Sequence, residues 1–290
     1  MALYAFDGTW NDEKDAGRYD LNTNVVRFKD LYDGPKFFYK GVGTKHGTLG
    51  KFFGGAFGVG GHDRIDAAQR DMEKQFAAND HIVDIVGFSR GAALSVHFAN
   101  VVADEGVVVN GQKFSPQIRF LGVFDIVAAF GIPINLPGIN ANRINLGYKL
   151  TLPKAVKFCY HALALDEARQ AFRPTRVPEG CEVWFRGVHS DIGGGNNNHA
   201  LNDITLRWML RKAIASGLPI ASAAIEVGCS RADVAGKVSS NFDPIRNRAR
   251  EPKDGDRYHY TVASRAKCVN PPEPCTRETE ALELEVWNRA

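Results

Sequence analysis

Short apolar runs, each bounded by turn or polar residues, recur along the first two thirds of the chain. Runs of this length that are rich in β-branched and aromatic residues are typical of buried strands. The sequence therefore predicts strands, in chain order, at Leu3–Phe6 and in the segments FFYKGV, HIVDIVGFS, IRFLGVFD, KFCYHALAL and EVWFRGVHS.

Helical periodicity separates several of these runs. Apolar residues at Ile65, Ala68, Met72 and Phe76 have the spacing of three to four that predicts a helix over 62–77. Further helices are expected after the third run, over 91–103, and as an amphipathic helix over 202–216. Strands that alternate with helices predict an α/β fold, with a mostly parallel sheet flanked by helices on both faces.

The pattern weakens towards the end of the chain. Residues 241–277 are rich in Arg, Pro and Asp, and we expect an irregular, solvated segment there. We also expect a loop over 45–61, where Gly and Phe alternate. The length of 290 residues fits a single domain over 1–220, with residues 221–290 as an extension that packs on or wraps it.

Composition narrows the classes of partner. The formal net charge is +3 and is scattered, which argues against nucleic acid. No apolar run is long enough to cross a membrane, although transient contact with a membrane surface stays open, and the start of the chain has no features of a signal peptide. We therefore expect a cytoplasmic protein. The five cysteines have no metal-ligand spacing, no cofactor is expected, and a disulfide between Cys268 and Cys275 stays an alternative.

The segment GFSRGA contains the motif G-x-S-x-G around Ser89. It lies between an apolar strand and the start of a helix, the context in which a sharp turn exposes a nucleophilic serine. Flanking side chains would collide in such a turn, which explains Gly87 and Gly91. We expect Ser89 to be a nucleophile; the alternative is a tight turn in which it only caps the helix.

A serine needs a base, and the base needs an acid. His189 follows an apolar strand and is expected to open the glycine-rich loop SDIGGGNNN, at the sheet edge where α/β proteins bind ligands. This position favours it over His199, its nearest rival, which shares that loop. Asp125 ends a strand and lies between serine and histidine in the chain, the order found in α/β-hydrolases. Asp191 is the alternative acid. The motif thus predicts a Ser89, Asp125, His189 triad.

Two backbone amides should stabilise the oxyanion. We expect one from Arg90 and the other from Gly8 or Thr9, in the loop DGTWN after the first strand; a plain β-turn is the alternative for that loop. Candidate substrate contacts are the loop residues Asp7 and Trp10 and, as an apolar lip for an acyl chain, Phe52 and Phe53.

Eight motifs together resemble one known family, the uncharacterised α/β-hydrolases that include type VI secretion lipase effectors with phospholipase activity. The resemblance implies an α/β-hydrolase fold, a triad on Ser89, Asp125 and His189, a phospholipid or related lipid ester as substrate, and export through that secretion system. The motifs are FDGTWN, YKGVGT, GGAFGVGG, GFSRGA, GVFDIV, HALALDEARQAF, WFRGVHSDIGGG and LNDITLRWM.

Two other functions compete with a serine esterase. A binding domain on a hydrolase scaffold would have no reactive serine. An Asp7-dependent phosphatase is favoured by FDGT after the first strand, but the second acid that such enzymes carry two residues away is missing. The sequence does not determine acyl-chain length, head group or oligomeric state.

Overall fold

The computed structural model describes residues 1–8, 21–41, 56–128, 148–240, 247–265, 276–279 and 281–286, of which 56–59 and 276 by backbone alone. Phe52, Phe53, Thr9, Trp10, Cys268 and Cys275 lie outside the described residues. The described strands are β1 (Ala2–Phe6), β2 (Lys36–Tyr39), β3 (Ile82–Phe88), β4 (Val107–Val109), β5 (Gln112–Phe114), β6 (Gln117–Phe124), β7 (Val156–Ala164), β8 (Cys181–Phe185), β9 (Arg257–His259) and β10 (Thr276–Glu278).

Helices connect most of these strands. They are α1 (Asn24–Leu31), α2 (Ala56–Ala77), α3 (Ser89–Glu105), α4 (His189–Gly193), α5 (His199–Ala215), α6 (Ser222–Gly228) and α7 (Tyr260–Ala263), with short 3₁₀ helices at Gln170–Phe172 and Leu282–Leu284. No helix within the described ranges is long and apolar enough to cross a lipid bilayer.

Eight strands form one sheet in the order β10-β9-β8-β7-β6-β3-β1-β2, and every pairing within it is parallel. β4 and β5 pair separately as an antiparallel hairpin. The α/β-hydrolase-like fold expected from the sequence, with a mostly parallel sheet between helices, is therefore confirmed.

The sheet has two apolar faces because side chains alternate along each strand. In β1, Tyr4 and Phe6 pack in a core with residues of α2 and α3, whereas Leu3 and Ala5 pack in a second core with residues of α1 and α5. Helices thus cover both faces, and the polar groups of the site lie at the edge of the sheet.

The strand order reverses next to β1. The chain passes from β1 to β2 on one side and then to β3 on the other side. Parallel sheets bind ligands outside the carboxyl ends of the strands at such a switch point. Asp7 and Gly8 follow β1 there, and Ser89 follows β3.

Three expectations about local structure are wrong. The backbone from Ala56 is already helical, so part of the predicted 45–61 loop belongs to α2. His189 begins the short helix α4 instead of opening a loop, since the glycines come after it. Part of the predicted irregular segment 241–277 is ordered in the main sheet, because β9 pairs with β8 and buries His259.

Candidate active site

The backbone at Ser89 adopts the conformation expected of a strained turn between strand and helix. Ser89 directly follows β3 and is the first residue of α3, with φ of +58°. Non-glycine residues seldom adopt such angles, because the side chain then crowds the backbone. The turn leaves the Ser89 side chain at the carboxyl edge of the sheet.

Both flanking glycines are required by close contacts. A Cβ on Gly87 would come within 2.2 Å of Ser95 Oγ, and a Cβ on Gly91 would lie 2.3 Å from the Asp7 carbonyl oxygen. Real Cβ atoms do not approach other atoms so closely. A side chain at either position would therefore collide with its neighbours, as expected. Glycine allows the turn after β3 to pack directly against the end of β1.

Ser89, His189 and Asp125 form a continuous hydrogen-bonded chain. Ser89 Oγ lies 2.8 Å from His189 Nε2, and His189 Nδ1 lies 2.6 Å from Asp125 Oδ2. All three residues are buried. The structure thus brings together three residues from separate parts of the sequence, with the distances that proton transfer from a serine needs.

Charge determines which nitrogen of His189 carries the proton. Burial raises the pKa of Asp125, but Arg250 and the hydrogen bond with His189 outweigh it, so that the pKa lies well below its usual range. An ionised carboxylate only accepts hydrogen bonds. His189 Nδ1 therefore donates to Asp125, and the lone pair on Nε2 accepts from the Ser89 hydroxyl.

His189 is poised as a base. Burial lowers the pKa of His189, and this effect outweighs the opposite influence of Asp125, while Arg250 lowers it further and Glu167 raises it. The ring is therefore neutral at pH 7, as a general base must be.

Asp125 is held in place by backbone and side-chain contacts. It has φ of +43°, and its N–H donates to the Ala162 carbonyl at 2.8 Å. The Ala164 N–H donates to Asp125 Oδ1 at 3.0 Å. Arg250 donates to both carboxylate oxygens, at 2.6 and 3.0 Å. The acid is thereby fixed between the ends of β6 and β7.

Aromatic rings and a second carboxylate surround His189. The Phe88 and Phe172 ring centroids lie 4.7 and 4.9 Å from the imidazole centroid. The backbone N–H of His189 donates to Glu167 Oε2 at 3.2 Å, and Glu167 is itself paired with Arg169. These contacts restrict the orientation of the imidazole ring.

Asp191, the rival acid, faces away from this chain of hydrogen bonds. Its carboxylate accepts from the Val188 N–H at 3.1 Å and from the Ser239 hydroxyl and N–H at 2.6 and 2.9 Å. Asn196 and Asn198 donate to it as well. Asp191 therefore supports the start of α4, where His189 lies.

Other histidines that follow Ser89 in the chain are placed elsewhere. His97 lies in α3, and its Nδ1 accepts from the backbone N–H of Lys149. Burial, together with His62 and Lys149, lowers the pKa of His97 to about 4. His199 lies at the start of α5, where its Nδ1 is 3.6 Å from Asp203 Oδ1. His161 is a buried residue of β7 that contacts Glu182.

The end of β1, after which the predicted oxyanion loop begins, packs against Gly91, two residues beyond the predicted nucleophile. In this arrangement the Gly8 N–H donates to Asp7 Oδ1 at 2.7 Å, and Thr23 Oγ1 donates to Asp7 Oδ2 at 2.9 Å. Arg90 lies in the first turn of α3, and burial lowers the pKa of its guanidinium to about 10. The predicted substrate role of Asp7 and the predicted oxyanion roles of Gly8 and Arg90 stay predictions.

Three neighbours of the triad were not singled out by sequence reasoning: Arg250, Glu167 and Phe172. The last two belong to the motif HALALDEARQAF, so that motif was a usable signal. Arg250 had none, because it is one of several arginines in a polar segment. Among the residues described, no group of three or more His, Cys, Asp or Glu side chains is arranged to hold a metal ion.

Comparison with known proteins identifies what the chain resembles. Residues 3–115 and 109–212 match the family described as the type VI secretion system (T6SS) phospholipase effector Tle1-like catalytic domain. A crystal structure of an uncharacterized protein from Pseudomonas aeruginosa is similar, with a TM-score of 0.54 and 19% identity over 80% of this chain. The structure of a Tle1 effector bound to the VgrG spike of the type 6 secretion system gives a TM-score of 0.46 and 26% identity over 68% of this chain.

One curated relative is also similar. An uncharacterized protein of Saccharomyces cerevisiae is 31% identical over 77 residues, which are 25% of this chain and 11% of that protein. The chain spans 49% of the Pseudomonas aeruginosa structure and 51% of the Tle1 effector structure, so it matches about half the length of each solved protein.

Proposed function

This chain belongs to the Tle1-like phospholipase effector family of the type VI secretion system, and we propose that it is a serine esterase that cleaves carboxylic esters of lipids. The observation that carries the proposal is the chain of hydrogen bonds from Ser89 through His189 to Asp125. A buried serine beside a neutral imidazole, itself oriented by an ionised carboxylate, is the arrangement that makes a hydroxyl nucleophilic.

Acylation follows from this geometry. Ser89 Oγ attacks the ester carbonyl carbon while its proton passes to His189 Nε2. The resulting imidazolium is stabilised by Asp125 through Nδ1–H. His189 then protonates the departing alkoxide, so that an alcohol leaves and the acyl group stays on Ser89.

Deacylation repeats the same steps with water as the nucleophile. His189 takes a proton from water, the hydroxide attacks the acyl carbon, and the proton returns to Ser89 Oγ as the fatty acid leaves. We propose that the Arg90 N–H and an amide of Gly8 or Thr9 stabilise the oxyanion in both steps, since Gly91 in the first turn of α3 packs against Asp7, the residue before Gly8.

Family membership favours a phospholipid or related lipid ester as substrate. The candidate contacts expected from the sequence are Asp7, Trp10, Phe52 and Phe53. It also favours synthesis in the cytoplasm followed by export through a type VI secretion system, with transient contact at a membrane surface. Within the chain, we propose that residues 1–220 form the catalytic domain and that residues 221–290 pack on it.

A fluorophosphonate probe tests for the reactive serine. Wild type should be labelled, and Ser89→Ala should lose labelling and lower kcat roughly 10,000-fold or more for a short-chain ester. Ser95→Ala is the matched control, because Ser95 is a buried serine of the same helix whose hydroxyl only donates to the Gly91 and Val86 carbonyls. A folded Ser89→Ala protein with wild-type turnover would refute the proposal and favour a binding domain or another chemistry.

The substrate class needs a second measurement. Release of fatty acid from vesicles of phosphatidylglycerol and phosphatidylethanolamine should depend on Ser89. A panel of esters with increasing acyl length then gives the chain-length preference. Hydrolysis of short esters without release from any vesicle would keep the serine esterase and exclude these phospholipids.

A further inference from the structure

Arg250 makes a two-point contact with the proposed catalytic acid. Its Nη1 lies 2.6 Å from Asp125 Oδ1 and its Nη2 lies 3.0 Å from Asp125 Oδ2. The side chains of Arg250 and Asp125 are 4% and 0% exposed, so this is a buried ion pair. A guanidinium in this orientation restricts rotation of the carboxylate, because both oxygens are engaged in one plane.

The same guanidinium also fixes the surroundings of the acid. Arg250 Nη1 donates to the Ala164 carbonyl at 2.8 Å, and Nη2 donates to the Phe172 carbonyl. Ala164 is the last residue of β7, and the Phe172 ring packs against His189. Arg250 therefore joins the acid to the wall of the imidazole pocket.

We propose that Arg250 is a positioning residue for the esterase reaction, acting on Ser89 through Asp125 and His189; this inference rests on the proposed function. Residue 250 lies beyond the family match, which ends at residue 212. The C-terminal extension would thus have a role in catalysis. Ser239 of the same extension supports Asp191 beneath the start of α4.

The physical reason is the cost of a buried carboxylate. Asp125 has no access to water, and an ionised acid in such a place needs a cation or several donors. Arg250 supplies that cation as a guanidinium with two N–H groups directed at the carboxylate. Together with the hydrogen bonds from the Ala164 N–H and His189 Nδ1, it stabilises the Asp125 carboxylate, and it turns the carboxylate so that Oδ2 accepts from His189 Nδ1.

Arg250 also balances the charges that face His189. Asp125 is paired with Arg250. Glu167, which accepts the backbone N–H of His189, is paired with Arg169. Asp166, the residue before Glu167, is paired with Arg186. Asp191, on the same helix as His189, is held by amide and hydroxyl donors. Among the described residues, Ser89, Phe88 and Phe172 also contact the ring.

Removal of one cation from this set has a defined sign. Without the charge of Arg250, the negative charge of Asp125 acts on His189 alone and stabilises the imidazolium. The neutral base then forms only at higher pH. A loss of packing alone would slow the reaction without moving its pH dependence.

The test compares pH profiles of fluorophosphonate labelling for wild type, Arg250→Gln, Arg250→Lys and Arg27→Gln. Arg27 is the matched control, since its buried pair with Asp203 is also 4% and 0% exposed and Arg27 also donates to a backbone carbonyl, that of Gly228. Thermal melting reports the folding of each variant, and Ser89→Ala gives the background.

In Arg250→Gln we expect labelling to slow by about tenfold or more. The acidic limb of the pH profile, over which labelling rises as His189 loses its proton, should move up by about one pH unit. Arg250→Lys keeps the charge and should restore the limb, although its single ammonium cannot reproduce the fork and labelling should stay slower than in wild type. Arg27→Gln should lower the melting temperature without moving the limb.

Two failures are distinguishable. An acidic limb in Arg250→Gln that matches wild type or Arg27→Gln, while wild type is labelled at Ser89, would overturn the role of Arg250 and leave the esterase standing. Absence of Ser89-dependent labelling in wild type would overturn the proposed function and this inference with it.

Discussion

Two buried histidine–carboxylate pairs, one in the sheet and one at its edge, differ in what faces the second ring nitrogen. In the first pair, His189 Nδ1 contacts Asp125 and Nε2 faces the Ser89 hydroxyl. In the second, His161 Nδ1 lies 2.9 Å from Glu182, and Nε2 accepts the backbone N–H of Ile126 at 3.1 Å.

Each of the two carboxylates also forms an ion pair with an arginine. Arg250 pairs with Asp125, and Arg176 pairs with Glu182 at 2.6 Å. Burial raises the pKa of Glu182, but His161 and Arg176 outweigh it and the pKa lies below its usual range. The arginine, the acid and the histidine are therefore common to both pairs and do not by themselves make a site reactive.

The difference lies in the donor that faces Nε2. A backbone N–H occupies the lone pair of His161, so this ring cannot take a proton from a substrate or a serine. It instead anchors Ile126, the residue after Asp125. The second pair thus supports the turn that carries the acid of the first pair. Of these two rings, that of His189 has its lone pair directed at a hydroxyl.

The largest effect should separate the two histidines. His189→Gln should lower kcat roughly 10,000-fold or more, since no base remains to activate Ser89. His161→Gln should stay within about tenfold of wild type, because its role is to hold the Asp125 turn. Steady-state ester hydrolysis measures both, and equal losses in two folded variants would remove the distinction.

The acids should differ in the same direction. Asp125→Asn should lower kcat by about 10,000-fold, because an amide donates to His189 Nδ1 and favours the wrong tautomer. Glu182→Gln changes a carboxylate that never meets the reacting imidazole, and its kcat should stay close to wild type. Near-equal kcat values for Asp125→Asn and wild type would contradict the role of Asp125.

The second pair should matter more for stability. Glu182→Leu leaves Arg176 and His161 without their shared carboxylate and should lower the free energy of unfolding by about 3 kcal/mol. Urea unfolding at pH 7 measures this loss. A Glu182→Leu protein as stable as wild type would show that the second pair does not hold the fold.

The smallest effects concern pH. The lowered pKa of His189 keeps the imidazole neutral below the ordinary value of 6.5, so the acidic limb of labelling in wild type should have its midpoint below that pH. A midpoint above 6.5 would contradict burial as the dominant influence on this ring.

Unfolding free energy should respond to pH in a separate window. The pKa values of Asp125 and Glu182 are depressed in the folded chain, so their stabilisation is complete above their ordinary values near 4 and is lost as pH falls through the folded values. Urea titrations at pH 7, 5, 4 and 3 should show this decline, and a smaller decline in Glu182→Gln. Equal slopes in both proteins would exclude Glu182 as a source.

Local sequence was enough to predict six of the ten described strands (β1, β2, β3, β6, β7 and β8), the turn at Ser89 and the candidates for base and acid. Strand periodicity and the two glycines are properties of short segments that short-range sterics determine, and the order of Ser89, Asp125 and His189 follows directly from their positions in the chain. The parallel α/β arrangement followed because alternating strands and helices have few ways to bury both faces of a sheet.

Tertiary structure alone decided which polar groups meet. Nothing local distinguishes Arg250 from its neighbouring arginines, yet the fold buries it against Asp125, 125 residues away along the chain. Likewise His161 and His189 both follow the pattern of apolar strands, and their roles differ because one Nε2 meets a backbone N–H and the other a hydroxyl. Long-range contacts of this kind depend on how strands are ordered in the sheet, which no local pattern encodes.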